Sequence, residues 1–137
     1  LDATTENLGK VFDFVIEELS AHNLGKKEIR AIKLSVEEIY INIVNYAYHP
    51  DKGKARIRMD VSDVTPKNIR VEITVIDKGH PFNPLEEERP NLEAKLQDRR
   101  VGGLGIYLVR TKMDNVSYEY KDGQNILTME KAIELAG

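Results

Sequence analysis

Apolar residues recur at helical spacing in the first part of the chain. Between Thr4 and His22 they fall three or four positions apart, which predicts an amphipathic helix with one apolar face. Gly25 follows, and we expect it to end this helix in the left-handed conformation that glycine favours. A second helix is predicted from Lys26 to Tyr48, because Pro50 disfavours helical geometry in the residue before it.

A period-two pattern follows the second helix. Residues 56–61 alternate polar and apolar side chains, and residues 69–75 alternate even more regularly. This pattern predicts two β-strands, each with one face turned to the core, joined by a hairpin connection at 63–68. The second strand runs directly into residues 77–84, which are rich in turn-forming residues.

The last third of the chain begins with a mostly charged segment. Residues 85–101 have few apolar side chains to anchor them and are predicted to form a mobile surface loop that ends at a glycine hinge. A short third helix is predicted at 105–113. Two further strands are predicted at 116–120 and 126–129, with a glycine-containing turn between them.

This order of elements predicts an α+β fold, a two-layer sandwich in which helices cover one face of a mostly antiparallel sheet. The 137 residues match the usual size of one domain, so we expect a single unit over 1–137. The sequence begins at Leu1 rather than at methionine, which leaves room for a further N-terminal strand.

Composition excludes several classes of protein. With 41% hydrophobic residues, 31% charged residues and a net charge of -3, the chain has neither the basic excess of a nucleic-acid-binding protein nor the bias of a disordered one. It has no apolar run near the roughly 18 residues of a membrane span. Cysteine is absent, which excludes disulfides and thiol nucleophiles and fits a cytoplasmic protein.

The second half of the second helix carries polar residues where a core is expected. At about 100° per residue, the polar residues form one narrow stripe. On either side of the stripe lie apolar residues, among them Val36, Ile39 and Ile43 on one flank and Leu34, Ile41 and Tyr48 on the other. We therefore expect partial burial of the stripe, with its polar groups paired inside the protein or with a ligand. The stripe consists of Ser35, Glu38, Asn42 and Asn45.

Three features distant in sequence suggest nucleotide binding when they are taken together, although each has an ordinary structural explanation alone. The glycine-rich segment 102–105 (Gly-Gly-Leu-Gly), placed before a helix, can present backbone amides to a phosphate chain. Asn42 offers a neutral oxygen suited to Mg²⁺. Asp77, at the end of a strand, can accept a hydrogen bond from an exocyclic amine such as that of adenine, and Gly79 lets a base approach the backbone. Glu38 lies one helical turn before Asn42 and can take a proton from an attacking hydroxyl.

Three segments resemble the nucleotide-binding boxes of the gyrase, chaperone, histidine kinase and mismatch-repair ATPase superfamily in order and spacing. They are LSVEEIYINIVNYAY (34–48), VIDKGHPFNP (75–84) and VGGLGIYLV (101–109). Within that superfamily the chain is similar to the anti-sigma regulatory factors, which are serine-protein kinases. Three details favour that branch: a Glu-x-x-x-Asn pattern followed by Tyr46-Ala47-Tyr48, the Pro-Phe-Asn-Pro segment at 81–84, and the segment 113–116 (Met-Asp-Asn-Val) followed by 125–131 (Asn-Ile-Leu-Thr-Met-Glu-Lys).

The resemblance implies roles for individual residues. Glu38 matches the general base, Asn42 the Mg²⁺-coordinating asparagine and Asp77 the aspartate that reads adenine. The remaining positions implied to contact ATP are Asn45, Gly79, Phe82, Gly102, Gly103, Leu104, Gly105 and Thr128.

Some positions depart from the family pattern or allow two interpretations. Tyr46 stands where many relatives carry histidine, and Gln124 stands where they often carry glycine, so the adenine-side contacts of Asn125 and Thr128 stay open. Arg99 or Arg100 can reach the terminal phosphate from the loop; the ordinary alternative is a solvated pair of charges.

The resemblance implies an ATP-binding regulatory kinase that uses Mg²⁺, phosphorylates a serine of an anti-sigma factor antagonist, sequesters a sigma factor and forms a homodimer. One alternative is a non-catalytic module whose protein interface changes when ATP binds. Another is the ATPase domain of a larger histidine kinase or multidomain regulator, although no helical hairpin with a phosphoacceptor histidine is seen in the sequence. The sequence does not name the partner proteins.

Overall fold

A computed structural model of the protein describes residues 1–22, 24–44, 48, 53–65, 67–81, 83 and 109–134. Two helices and four strands make up most of this part of the chain. The predicted hinge at 102–105 and the loop at 85–101 lie outside the described residues. Of the predicted third helix (105–113), residues 109–113 are described; residues 109–112 are helical and Met113 lies in a bend.

Two amphipathic helices form one layer of the structure. A single 3₁₀ turn, Thr5–Asn7, leads into α1, Leu8–Ser20, which turns Val11, Val15 and Leu19 to the core. Helix α2 spans Lys26–Asn42. It was predicted to reach Tyr48, but residues 43–44 are π-helical and Tyr48 lies in a bend, so regular α-helical geometry ends at Asn42.

The prediction for Gly25 was wrong. Gly25 is not a left-handed cap of α1 but the N-cap of α2, with extended backbone angles (φ -69°, ψ 158°). Among the described residues, positive φ angles occur only at Asp122 and Gly123. Helix α1 ends instead at Ser20, where the backbone N–H of His22 bonds to the carbonyl of Leu19.

Four antiparallel strands form the second layer, in the order β1-β2-β4-β3. They are β1, Ala55–Thr65; β2, Asn68–Asp77; β3, Asn115–Lys121; and β4, Gln124–Glu134. The predicted connection at 63–68 was too long, because β1 and β2 extend into it with a register irregularity between Asp63 and Thr65. The predicted α+β architecture is confirmed.

The core lies between the helices and one face of the sheet. Along β2, the inward positions Ile69, Val71, Ile73 and Val75 are all at most 3% exposed. They belong to one cluster of buried side chains together with residues from α1 and α2. Because side chains alternate along a strand, Asp77 falls on this same inward face. Among the described helices, none is both long and apolar enough to cross a membrane.

The first four residues are tied to the rest of the fold. Leu1 and Ala55 exchange two backbone hydrogen bonds, of 3.0 and 2.9 Å, and the N–H of Ala3 bonds to Gly53. The buried hydroxyl of Tyr40 on α2 donates to the carbonyl of Thr4 at 2.6 Å and accepts from the Thr4 N–H at 3.0 Å. The N-terminal segment thus links α2 to the beginning of β1.

Candidate functional site

Of the polar stripe, the members that the structure describes, Ser35, Glu38 and Asn42, are wholly or partly buried, as the sequence predicts, but only one flank of the stripe is buried. Ser35 and Asn42 are 2% and 7% exposed, and the Oε1 atom of Glu38 is buried. The flank formed by Val36, Ile39 and Ile43 is buried as well. The other flank differs from the prediction, since Leu34 is 45% exposed. The stripe therefore lies at the border of the core and not within it.

The members of the stripe have different partners. The hydroxyl of Ser35 donates to the carbonyl of Ala31 at 3.0 Å, which pairs it within its own helix. The side chain of Asn42 forms no hydrogen bond with any of the described residues, although it is nine-tenths buried. The Asn42 amide is not among the fully buried side-chain groups that lack a partner, so it keeps some exposure and can meet a ligand.

Asp77 lies at the end of an interior strand. It is the last residue of β2, and its neighbours across the sheet are Ala55 on β1 and Asn125 on β4. All three face the core side and are at most 6% exposed. The small side chain of Ala55 leaves space on one side of the carboxylate, and Asn125 supplies a hydrogen-bond donor on the other.

The two oxygens of the Asp77 carboxylate differ. Oδ1 accepts from the backbone N–H of Gly79 at 2.8 Å and from the Nδ2 of Asn125 at 2.9 Å. Oδ2 has no hydrogen-bond partner in the described part of the chain. Burial raises the pKa of Asp77 above its ordinary value of 3.8, and the bonds from Asn125 and Gly79 act in the opposite direction. The site thus presents one acceptor oxygen.

Asn125 organises the turn after β2. Its Nδ2 group donates to Asp77 and also to the carbonyl of His80 at 2.8 Å. Its Oδ1 accepts a hydrogen bond from the hydroxyl of Tyr118 on the neighbouring strand β3. Tyr118 was not assigned any role from the sequence. The sequence signal for Asn125 is its inward position in the alternation with Leu127 and Met129, which makes it a buried polar residue.

The structure does not place Thr128 with Asp77, which corrects the sequence-based assignment. Thr128 pairs with Thr74 and Ser117, and these positions belong to the outward face of the sheet. Asn125 and Thr128 are three residues apart on one strand, so their side chains point to opposite faces. Asn125 is therefore the residue of β4 that belongs to the candidate site.

A cavity of about 570 Å³ opens at the same end of the sheet. Tyr48 crosses one side of it, donating to the carbonyl of Lys54 at 2.6 Å and accepting from the N–H of Lys78 at 2.7 Å. A Cβ at Gly53 would lie 2.2 Å from the Tyr48 ring, so any larger residue there would displace that ring. The cavity is lined by Leu1, Tyr48, Gly53, Lys54, Ala55, Arg56, Ile57, Ile76, Asp77, Lys78 and Gln124.

The remaining sequence-based assignments stay predictions. Glu38 and Asn42 are not among the lining residues of this cavity. The described residues contain no cluster of three or more acidic or histidine side chains that could hold a metal ion. Assignments that lie outside the described residues are those of Asn45, Tyr46, Phe82, Arg99, Arg100, Gly102, Gly103, Leu104 and Gly105.

Comparison with known proteins shows the family. Residues 1–131 match the model of the histidine kinase-like ATPase domain. The chain is 32% identical over 105 residues to the serine-protein kinase RsbW of Bacillus subtilis (strain 168), a match that covers 72% of this chain and 62% of that protein. It is 31% identical over 100 residues to the serine/threonine-protein kinase BtrW of Bordetella bronchiseptica, covering 72% and 66%.

A further relative is the serine-protein kinase RsbW of Halalkalibacterium halodurans, 32% identical over 116 residues, with 78% of this chain and 64% of that protein covered. The chain thus spans less than two thirds of the length of these curated relatives. The family match covers nearly all of the chain, including α2, Asp77 and Asn125. The chain belongs to the histidine kinase-like ATPase domain family.

Proposed function

We propose that this chain binds ATP and acts as a regulatory serine-protein kinase. The observation that carries the proposal is the Asp77 carboxylate, which is buried at the end of β2 with Oδ1 occupied and Oδ2 left as an acceptor. An exocyclic amine such as that of adenine is a matching donor. The serine-protein kinases among the relatives support the same activity.

Asn42 fits a role at the phosphate end of the nucleotide. Its side chain is nine-tenths buried, and its amide oxygen has the chemistry of a magnesium ligand. Mg²⁺ commonly takes few protein ligands and completes its shell with water and phosphate oxygens, so one amide suffices as the protein's share. When bound, the ion would neutralise phosphate charge. Asn42 would orient the phosphates relative to α2.

Glu38 is the proposed general base. It lies one helical turn before Asn42 on the same face of α2, and its Oε1 atom is buried. A serine hydroxyl is a weak nucleophile until a base accepts its proton, and a carboxylate near the bound phosphates can do so. As the acceptor we propose a serine of an anti-sigma factor antagonist, with a sigma factor as the second partner.

Phosphate transfer and its base are tested in one experiment. The protein is immobilised, incubated with Mg²⁺ and ATP in a cell extract, and the captured partner is identified together with its phosphorylated residue. Glu38→Gln is expected to lower the rate of transfer to the purified partner by about 10²–10⁴-fold, the usual contribution of a general base. ATP affinity, measured by calorimetry, is expected to change little.

Glu37→Gln is the matched control, because Glu37 lies about 100° away around the same helix. It is expected to transfer phosphate at the wild-type rate. If Glu38→Gln transfers phosphate as fast as the wild type, Glu38 is not the base. If the wild type binds ATP and its partner without producing a phosphoprotein, the chain is a binding module and not a kinase.

A further inference from the structure

The hydrogen bonds around Asp77 restrict which purine the site can accept. A carboxylate with two available oxygens can receive two adjacent donors at once. Guanine offers such a pair, its N1–H and its 2-amino group, whereas adenine offers a single 6-amino donor beside an acceptor nitrogen. The number of oxygens that Asp77 has available therefore distinguishes the two bases.

One oxygen is already occupied within the protein. Oδ1 of Asp77 accepts from both the Gly79 N–H and the Asn125 Nδ2, at 2.8 and 2.9 Å. A third donor at the same atom would compete with two well-formed bonds in a buried site. A guanine base placed against Asp77 would thus leave one donor unpaired, which is costly away from water.

The orientation of the Asn125 amide follows from the groups on its two sides. Its Nδ2 faces two acceptors, the Oδ1 of Asp77 and the carbonyl of His80, while its Oδ1 accepts from the hydroxyl of Tyr118. A flipped amide would turn its oxygen towards the carboxylate and its NH₂ group towards the hydroxyl. Asn125 is 5% exposed, so water does not readily replace these bonds.

We propose that Asn125 and Tyr118 are positioning residues that make Asp77 a one-oxygen acceptor and thereby set a preference for adenine over guanine nucleotides. This inference rests on the proposed ATP-binding function and adds to it the origin of base selectivity. Asn125 acts by occupying Oδ1, and Tyr118 acts by holding Asn125 in place.

Calorimetric binding of three nucleoside diphosphates separates the effects of the individual hydrogen-bond donors on the base. ADP carries the single 6-amino donor, GDP carries two adjacent donors, and IDP carries the N1–H alone. The wild type is expected to bind ADP at least tenfold more tightly than GDP, and to bind GDP more weakly than IDP, because the 2-amino group of GDP finds no free acceptor.

Asn125→Ala frees Oδ1 for a second donor from the base. Affinity for GDP is then expected to rise about tenfold relative to IDP, and the ratio of ADP to GDP affinity is expected to fall by a similar factor. Tyr118→Phe, which removes only the hydroxyl, is expected to shift both ratios in the same direction by about threefold. A merely structural loss would weaken binding of all three nucleotides alike.

Tyr120→Phe is the matched control, since Tyr120 lies on the same strand and is 45% exposed. The ratios of its affinities for ADP, GDP and IDP are expected to equal those of the wild type. The inference is overturned if folded Asn125→Ala keeps the wild-type ratios, or, should that variant not fold by circular dichroism, if Tyr118→Phe keeps them. If the wild type binds no ADP, the proposed function itself fails; if ADP binds and only the ratios stay unchanged, the inference alone fails.

Discussion

At the scale of single residues, a substitution of Asp77 is expected to weaken nucleotide binding without unfolding the protein. Replacement by asparagine keeps an oxygen that accepts from Gly79 and Asn125, but it exchanges Oδ2 for an NH₂ donor. An amine donor on the ligand would then face another donor. We expect Asp77→Asn to lower ADP affinity at least tenfold in calorimetry while the protein stays folded. Glu72→Gln, an acid-to-amide change at a half-buried position on the outward face of the same strand, is expected to leave the affinity unchanged.

The same substitution tests the electrostatics of Asp77. Burial raises the pKa of the carboxyl in the folded state, so its contribution to stability is fully present below the ordinary value of 3.8 and is lost as the pH rises through the folded pKa. The neutral side chain of Asp77→Asn does not titrate, so the variant does not lose this stability as the pH rises. We expect the stability of the variant relative to wild type, from urea unfolding, to be greater at pH 7 than at pH 4. The opposite trend would contradict the conclusion that burial is the main influence on the pKa of Asp77.

At the scale of elements, two glycines with equal space around them should respond oppositely to alanine. Gly9 lies within α1 and Gly123 in the β3–β4 turn, and a Cβ at either position would meet nothing within 4 Å. Gly123 has φ +75° and follows Asp122 at φ 54°, the left-handed pair of a tight hairpin turn.

Backbone conformation alone therefore decides whether each substitution raises or lowers the free energy of unfolding. Gly9→Ala is expected to raise the free energy of unfolding by about 0.5–1 kcal/mol, because glycine is a poor helix former. Gly123→Ala is expected to lower it by about 1 kcal/mol, since alanine is strained at positive φ. Urea unfolding of both variants measures this, and changes of the same sign would be inconsistent with the assigned backbone conformations.

At the scale of the whole molecule, Tyr40 joins the N-terminal segment to α2, and Leu1 joins the same segment to β1. The side chain of Tyr40 is fully buried, and its hydroxyl bonds to the backbone of Thr4 in both directions. We expect Tyr40→Phe to lower the free energy of unfolding by about 1–2 kcal/mol, as lost buried hydrogen bonds do. Removal of residues 1–4 also breaks the bonds of Leu1 and Ala3, so its effect should be at least as large.

The exposed tyrosine again provides the comparison for Tyr40. Tyr120→Phe is expected to change the free energy of unfolding by no more than about 0.5 kcal/mol, as is usual at the surface. Both variants are measured by urea unfolding under the same conditions. Equal effects of the two substitutions would mean that the Tyr40 hydroxyl does not hold the N-terminal segment in solution.

Regular patterns made the fold predictable from the sequence. Alternation along 69–75 gave the inward face of β2, and continuing it by two residues places Asp77 on that face. The polar stripe of α2 gave the burial of Ser35 and Asn42. The same alternation separates Asn125 from Thr128, because residues three apart on a strand point to opposite faces.

Other features depend on residues that meet only in the folded chain. The hydroxyl of Tyr118 reaches Asn125 from the adjacent strand, and Asn125 reaches a turn 45 residues away. The exposure of Leu34 also depends on which side of α2 is covered by the sheet. No pattern within a single segment reports these contacts, because they depend on how strands pair and layers pack.

The sequence by itself determined the α+β architecture, the inward face of β2 and the identity of Asp77 and Asn42 as candidate ligand-binding residues, because periodicity and side-chain chemistry act locally. Only the tertiary structure decided that Asn125 and Tyr118 act on Asp77, that Oδ1 is occupied and that Thr128 faces away. Those properties follow from the β2-β4-β3 order and its register, which bring distant polar groups within hydrogen-bonding distance.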